Sequence, residues 1–367
     1  MQKTALVTGG AGFIGSHTAD ALARRGYAVR IVDNLQAEVH AGRWPKYVQG
    51  KGFELIRGDV RERRVWERAL SSVDAVFHFA AYQDQRLDFS TFFETSTVSP
   101  ALLYETIVNR NSQVKKVVLI SSQFVYGDGV WRGAEEQVFY PELRSLRDLQ
   151  AGRWEIAAPD GGPAEPLPFE EDQPVAPTNS YGLSKYAAEM CALRLGKTYR
   201  VPTTVLRYSI VQGPRQSPRN IYSGALRIFV QQALAGEPIT VYEDGRQMRD
   251  FVNVADVVSA NLLVLRSRRA DFNVFNVGGG KPVRVLDFAR AVKAAAQSAA
   301  PVVVGGFRRT DTRHAVSSIA RLSGLGWKPK YGIEHSIRSY VDWYKAEKLD
   351  RSVDVKALRA LKRGITK

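Results

Sequence analysis

Apolar runs alternate with amphipathic stretches of helical spacing through the first half of the chain. The apolar runs lie at residues 5–8, 28–32, 53–57, 75–79 and 116–121, and the helical stretches lie at 12–25, 65–70 and 98–110. A further helix at 181–199 and a strand at 203–206 continue the pattern. This alternation predicts an α/β fold with a doubly wound parallel sheet.

The pattern loosens after about residue 213. Strand candidates remain at 238–242 and 275–277, and we assign both to a smaller, partly discontinuous α/β lobe. At 367 residues the chain exceeds what one hydrophobic core usually serves. We therefore predict a larger domain at 1–212, a smaller lobe at 213–350 with some return to the larger domain, and a basic tail at 351–367.

Residues 128–174 differ from the rest of the chain because proline and glycine recur through the segment. It also carries Trp131 and Trp154 among charged residues. Segments this long between regular elements are usually functional lids or disordered, and two tryptophans favour order. We predict an inserted, lid-like segment here.

Composition narrows the class of protein. The chain lacks an apolar run of eighteen residues and an N-terminal leader pattern, which predicts a cytoplasmic protein without integral membrane association. Its net charge of +15 comes from scattered basic residues without interleaved aromatic side chains, so we expect no nucleic-acid partner. Cys191 is the only cysteine, which excludes an internal disulfide and a thiolate zinc site, and we expect no metal.

A glycine-rich turn follows the first strand. Gly9, Gly12 and Gly15 precede or open a helix, with Phe13 and Ile14 between the last two, which is the context that a dinucleotide-binding fingerprint requires. We therefore expect a Rossmann-type domain. Asp33 ends the second strand, where a carboxylate accepts from the ribose hydroxyls and repels a 2′-phosphate, so NAD is favoured over NADP.

Other strand ends add candidate cofactor contacts. Asn34 follows Asp33, and Asp59 and Val60 follow the third strand. Asp59 either flanks the adenine or caps a turn, and the sequence leaves both interpretations open. After the fourth strand, the small residues in Phe79-Ala80-Ala81 let a cofactor approach the sheet edge.

Tyr181 and Lys185 form a Tyr-x-x-x-Lys set on a predicted helix. Residues four apart share one helical face, so the ammonium can favour the phenolate. A tyrosine tuned in this way acts as a base near neutral pH. Ser122, at the end of the fifth strand, can donate to an oxygen on which charge develops.

These motifs together resemble the extended short-chain dehydrogenase/reductase family, in its NAD-dependent nucleotide-sugar epimerase and dehydratase branch. Further matching pieces are 121–127, 206–208, 213–216, 245–254 and 325–329. The resemblance implies that Tyr181 is the base for the sugar 4-hydroxyl, that Lys185 lowers its pKa and bonds the nicotinamide ribose, and that Ser122 holds the reacting oxygen. We expect a nucleotide-diphosphate-sugar substrate and a homodimer.

The same resemblance suggests where the substrate binds. Arg249 and Arg313 match the family's diphosphate ligands, and guanidinium forks suit phosphate oxygens. Gln123, Asn179 and Arg215 complete the predicted substrate contacts.

Departures from the family pattern help to distinguish which of the family's reactions this chain is expected to catalyse. The 4,6-dehydratases carry Asp and Glu where this chain has Gln123 and Phe124, which cannot exchange a proton. Ile210 and Thr97 replace two common asparagines, so sugar contacts are expected to differ. The insertion resembles that of dTDP-L-rhamnose 4-epimerases, but Ala158 and Gly161 stand where some of those have a Cys-x-x-Cys pair.

We therefore predict an NAD-dependent nucleotide-sugar epimerase that inverts C4 through a transient 4-keto sugar. The alternative is an NADH-dependent reductase of a nucleotide-linked 4-ketosugar. A 4,6-dehydratase and a non-catalytic NAD-binding regulator are less favoured, the latter because Ser122, Tyr181 and Lys185 are all present.

Overall fold

The computed structural model describes residues 2–83, 87–219 and 224–347. Up to residue 122 the elements are β1 (Thr4–Thr8), α1 (Phe13–Ala23), β2 (Ala28–Asp33), α2 (Ala37–His40), β3 (Glu54–Arg57), α3 (Arg63–Ala69), β4 (Ala75–His78), α4 (Phe89–Phe93), α5 (Ser99–Asn109) and β5 (Lys116–Ser122). A π-helical turn, Glu94–Val98, joins α4 to α5, and a 3-10 turn, Gln123–Tyr126, follows β5.

The segment at 128–174 contains regular structure of its own. Its elements are β6 (Trp131–Gly133), β7 (Val138–Phe139), α6 (Leu146–Gln150) and β8 (Ala164–Pro166). The three strands form a small antiparallel sheet with β6 in the centre. Trp131 is fully buried, and its indole Nε1 donates to the Asp128 carbonyl at 2.9 Å. We call this segment the insertion.

The rest of the chain alternates between the two parts of the molecule. Its elements are α7 (Ser180–Thr198), β9 (Thr203–Tyr208), β10 (Ile210–Gln212), α8 (Ala225–Ala235), β11 (Ile239–Val241), β12 (Met248–Asn253), α9 (Val254–Arg266), β13 (Asn273–Val277), β14 (Pro282–Arg284), α10 (Val285–Ala296), β15 (Val302–Val304), α11 (Ala320–Ser323) and α12 (Ile333–Ala346).

The main sheet has seven strands in the order β13-β9-β5-β4-β1-β2-β3, and every pair is parallel. Side chains alternate between its faces: Leu6 packs into one core with α3 and α5, and Val7 packs into the other with α1 and α9. The predicted Rossmann-type fold is confirmed. The assignment of residues 275–277 to the smaller lobe is wrong, because β13 pairs with β9 and returns the chain to the main sheet.

A smaller lobe surrounds three helices, α8, α10 and α12. Phe229, Phe251, Phe288 and Tyr340 lie in its apolar core, beside the short sheets β10-β12-β14 and β11-β15. The basic tail predicted at 351–367 lies outside the described residues. Within the described ranges, no helix is both long enough and apolar enough to span a bilayer.

Candidate functional site

A cavity of about 1900 Å³ opens at the carboxyl ends of β1, β2, β4, β5 and β9 and continues into the smaller lobe. The predicted residues that line it are Gly9, Gly12, Phe13, Ile14, Gly15, Asp33, Asn34, Asp59, Val60, Phe79, Ala80, Ala81, Ser122, Gln123, Asn179, Tyr181, Lys185 and Arg249. Predicted residues Arg215 and Arg313 lie outside its wall. From the predicted roles of these residues, we call the part of the cavity at Gly9 and Asp33 the cofactor end, the part at Tyr181 the centre, and the part at Arg249 the substrate end.

The turn between β1 and α1 needs its glycines. Gly9 has a φ of +64°, and a Cβ there would lie 2.8 Å from the Ala80 nitrogen. A Cβ on Gly15 would lie 2.3 Å from the Gly9 carbonyl oxygen. Gly12 precedes the first turn of α1, whose N–H groups are free for an anion, so the residues fit a dinucleotide pyrophosphate.

Asp33, the residue predicted to bind the ribose, lies at the carboxyl end of β2 and lines the cavity. Its Oδ2 accepts from the Ala11 nitrogen at 3.1 Å, and its Oδ1 accepts from the Leu35 nitrogen at 2.9 Å. Burial raises the pKa of Asp33, while the nearby His40 and these two bonds oppose the shift. Two of the roughly four acceptor positions of a carboxylate are used, which leaves room for ribose hydroxyls.

Asp59 lies beside Asn34 at the outer rim of the cofactor end. It accepts from Asn34 Nδ2 at 3.2 Å and forms an ion pair with Arg61 at 2.9 Å. Burial raises its pKa, but these partners hold it below the usual value. Asp59 also accepts from the Arg61 backbone nitrogen at 3.0 Å, so it caps a turn and lines the cavity at once.

Ser122, Tyr181 and Lys185 meet at the centre of the cavity. Ser122 Oγ accepts from the Phe124 nitrogen at 3.3 Å, which leaves its hydroxyl proton to donate. Burial raises the pKa of Tyr181 to about 12, and the Ser122 hydroxyl opposes the rise. Burial also lowers the pKa of Lys185 to about 8, against the charge of Glu189.

The lowered tyrosine pKa that the Tyr-x-x-x-Lys spacing predicts is not seen. Burial outweighs the other influences on Tyr181, and the Lys185 ammonium donates to the Ile120 carbonyl at 2.8 Å. The lysine is therefore held against β5, two residues before Ser122. A phenolate at Tyr181 needs further positive charge in the cavity.

The positions that follow Ser122 are filled by groups that do not exchange protons. Gln123 is buried, and its Oε1 has no hydrogen-bond partner among the described residues. The Phe124 ring stands edge-on to Tyr181, with centroids 5.9 Å apart. An acid and base for eliminating water are thus absent at these two positions.

Helix α7 is fixed firmly where it carries Tyr181 and Lys185. Asn179 caps it, because its Oδ1 accepts from the Gly182 nitrogen at 2.8 Å. Farther along, Glu189 forms a buried ion pair with Arg207 at 2.7 Å. Thr97, where the family commonly has asparagine, donates to the Ser184 carbonyl at 3.0 Å and ties the π-helical turn to α7.

The three predicted arginines separate in the structure. Arg249 lines the cavity, and its guanidinium donates to the carbonyls of Met248, Thr312 and Arg313. Arg215 instead binds Asp20 at 2.8 Å and lies over the Tyr47 ring. The structure gives Arg215 no place in the cavity wall, because it links α1 to the smaller lobe.

Arg313 is fully buried in an ion-pair network between the insertion and the smaller lobe. Its guanidinium pairs with Glu243 at 2.7 Å, with Asp244 at 2.8 Å and with Glu155 of the insertion. Arg144 of the insertion pairs with the other oxygen of Glu243 at 2.7 Å. The predicted diphosphate role of Arg313 is therefore not supported by its position.

Sequence reasoning missed several residues that the fold brings to the cavity. Arg308 and Arg309 line its substrate end, five and four positions before Arg313. Leu146 and Gln150 reach it from the insertion, and His40 reaches it from α2. The paired arginines were a visible signal, but only the tertiary structure shows which arginine of the segment faces inward. Within the described residues, no cluster of His, Cys, Asp or Glu suits a metal ion.

Comparisons with known proteins agree with this geometry. The model of the NAD dependent epimerase/dehydratase family matches residues 5–146 and 155–278. A dTDP-L-rhamnose 4-epimerase from Burkholderia thailandensis is 33% identical, covering 95% of this chain and 96% of that protein. A UDP-glucose 4-epimerase structure with UDP-glucose, from Thermotoga maritima, is 28% identical over 94% of this chain and 99% of that one, with a TM-score of 0.76. A Thermus thermophilus UDP-glucose 4-epimerase complex with NAD is 30% identical, with 93% and 99% coverage and a TM-score of 0.73.

Proposed function

The chain belongs to the NAD dependent epimerase/dehydratase family, and from that premise we propose that it inverts C4 of a nucleotide-diphosphate sugar through a transient 4-keto sugar. The predicted cofactor, NAD, is the one on which the family depends. One observation carries the proposal: Ser122, Tyr181 and Lys185 line a single cavity between a dinucleotide site and a substrate end with arginines.

The proposed chemistry follows from these positions. NAD, when bound, supplies a positively charged ring that accepts a hydride from C4 and returns it to the opposite face. Tyr181 takes the proton of the 4-hydroxyl and later gives it back. Ser122 donates its hydroxyl proton to the same oxygen while charge develops there. Lys185 keeps a positive charge beside the site and holds the nicotinamide ribose.

The neighbours of Ser122 favour epimerisation over dehydration. Eliminating water from the sugar needs an acid and a base near C5 and C6, and Gln123 and Phe124 supply neither. The unpaired Oε1 of Gln123 suits a sugar hydroxyl, which would satisfy a buried acceptor. Asn179, at the start of α7, is proposed to contact the same sugar.

The substrate end suits a diphosphate followed by a base. Arg249, Arg308 and Arg309 bring positive charge to the cavity wall. Burial lowers the pKa of Arg249, and the carbonyls that it binds fix the direction of its guanidinium. We assign the diphosphate to these arginines rather than to Arg215 and Arg313. A 6-deoxyhexose is the proposed sugar, as the name of the Burkholderia relative suggests.

The insertion is proposed to close the cavity over the sugar. Leu146 and Gln150 of α6 line the cavity. Arg144 precedes this helix in the sequence and Glu155 follows it, and both form ion pairs with the smaller lobe. These ion pairs hold α6 in place. A closed wall keeps the ketosugar from escaping before the hydride returns.

Cofactor stoichiometry tests the proposal against its main alternative. The purified protein is given dTDP-L-rhamnose, UDP-glucose and related nucleotide sugars without added NADH. An epimerase restores its cofactor in each cycle, so the inverted sugar should accumulate far beyond the enzyme concentration. A nucleotide-linked 4-ketosugar with NADH is supplied in a second assay, because only a ketone can oxidise NADH. If product forms only there, with NADH oxidised mole for mole, the protein is a ketoreductase. If nucleotide sugars bind without any turnover, it is a regulator.

A homodimer is also proposed, with two copies meeting on the π-helical turn and α7. Exposed apolar side chains lie on these two elements and at the adjoining end of α4, namely Val98, Leu183, Met190 and Phe93. Light scattering tests this proposal, and Leu183→Lys should give monomers. The cytoplasmic location and the boundary near residue 212 stay predictions from the sequence.

A further inference from the structure

We infer that His40 is a cofactor-binding residue that shares the 2′-hydroxyl of the adenosine ribose with Asp33. The inference concerns NAD alone and holds for any sugar substrate. His40 lies in α2, seven residues after Asp33, and both side chains line the cofactor end of the cavity.

The spacing of the two side chains suits one oxygen atom between them. His40 Nε2 lies 3.9 Å from Asp33 Oδ1, and each side chain is only 7% exposed. This separation is too long for a direct hydrogen bond. An oxygen atom between the two groups, at roughly 2.8 Å from each, would bond to both. Among the described residues, the His40 ring forms no hydrogen bond.

The two groups together select a hydroxyl. Asp33, as a carboxylate, can only accept a hydrogen bond, and a neutral imidazole protonated at Nε2 can donate one. A hydroxyl between them gives its proton to Asp33 Oδ1 and accepts from His40 Nε2. A phosphate in the same place has no proton for the carboxylate and adds charge repulsion. The two side chains together therefore bind the 2′-hydroxyl of NAD more tightly than Asp33 alone would.

The backbone holds His40 in this position. Leu35 has a φ of +57°, which turns the chain after Asp33 and brings α2 back over the end of β2. The His40 nitrogen donates to the Gln36 carbonyl at 2.8 Å, and Ser217 Oγ of the smaller lobe donates to the Val39 carbonyl at 3.0 Å. The first bond is internal to α2 and the second ties α2 to the smaller lobe, and both fix the backbone that carries the His40 ring.

The test compares His40→Phe, which keeps the ring and removes its nitrogens, with the unchanged protein. Calorimetry measures the affinity for NAD and for an NAD analogue that lacks the 2′-hydroxyl of the adenosine ribose. We expect His40→Phe to weaken NAD binding about tenfold, the size of one lost hydrogen bond. The analogue should bind both proteins equally. His40→Gln, which keeps an N–H donor, should recover part of the NAD affinity.

His335→Phe is the matched control, because His335 is exposed on α12 and stacks on Tyr331. It should leave both affinities unchanged. Equal weakening of NAD and the analogue by His40→Phe would show that His40 only shapes the loop, and unchanged NAD affinity would show no contact. Both results overturn the inference. These affinities need no turnover, so failure of the proposed epimerase activity would not affect the outcome.

Discussion

The cofactor end and the substrate end of the cavity differ in how their residues are placed. At the cofactor end, Gly9 directly follows β1, Gly15 lies in the first turn of α1, and Asp33 is the last residue of β2. At the substrate end, Arg249 and Arg313 lie on neighbouring extended segments, yet only Arg249 lines the cavity. The position of a residue beside a strand end is determined by the local sequence. The direction of an arginine side chain depends instead on which charges the fold brings beside it.

The largest expected effect comes from removing the phenolic hydroxyl at the centre. Tyr181→Phe should lower turnover by about two to four orders of magnitude, because proton transfer to and from the sugar is lost. NAD binding should persist, since Lys185 and the ring remain. Steady-state kinetics and calorimetry measure the two effects.

Tyr186→Phe provides the control, since Tyr186 is on the same helix but packs against the apolar cluster that contains Tyr126 and does not itself line the cavity. It should retain turnover. Near-normal turnover in Tyr181→Phe would refute the assigned base.

A second prediction contrasts the two arginines directly. Arg313→Met should cost about 3–5 kcal/mol of stability, because it leaves Glu243 buried without one of its partners. Its KM for the nucleotide sugar should change little below the melting temperature. Arg249→Met should instead raise KM by about tenfold or more, as a charged hydrogen bond to phosphate is lost.

Thermal unfolding and kinetics on both variants separate these effects. Arg246→Met is the control, because the Arg246 side chain is 75% exposed and should be neutral in both measurements. A variant Arg313→Met with an unchanged melting temperature and a raised KM would return the diphosphate role to Arg313.

The parts of the fold that followed from sequence are those with long, regular patterns. The strands at residues 5–8 and 116–121 were apparent because buried parallel strands are continuous apolar runs. The strands of the insertion have two or three residues each, too few for a period of two to show. For β13 the strand itself was predicted, but a short strand pattern does not reveal its partner. Pairing with β9 placed it in the main sheet.

The candidate site shows the same limit: residues in local motifs were predicted, and residues placed by tertiary packing were not. Ser122, Tyr181 and Lys185 were predicted from motifs, and the end of β5 and the start of α7 bring them to one cavity. The pKa of Tyr181 was not predictable, because burial and the Ile120 carbonyl that holds Lys185 both depend on tertiary packing. His40, Arg308 and Leu146 belong to no motif, so only the fold identifies them.

A smaller effect is expected at the wall that the insertion supplies to the substrate end. Leu146→Ala with Gln150→Ala should increase release of the ketosugar, because the wall over the sugar becomes incomplete. Trapping the free ketone with borodeuteride and counting labelled product measures this release. Leu143→Ala, at an exposed position of the insertion outside the cavity wall, is the control. Equal release in all three proteins would mean that the insertion is only a surface feature.

The smallest expected effect is a pH dependence in the network around Arg313. The hydrogen bond from His314, and then the Arg313 guanidinium, lower the pKa of Glu155 from 4.5 to about 2. A carboxyl group with a lowered folded-state pKa adds stability above its unfolded pKa and loses it as the pH falls. The melting temperature of the unchanged protein should therefore exceed that of Glu155→Gln above pH 4.5, and the difference should shrink as the pH falls towards 2. Because the Glu155 side chain is 60% exposed, the difference should be small and should shrink further in high salt. A difference that stays constant across this pH range would show that Glu155 contributes packing rather than charge, and the insertion would then be held by Arg144 and Glu243.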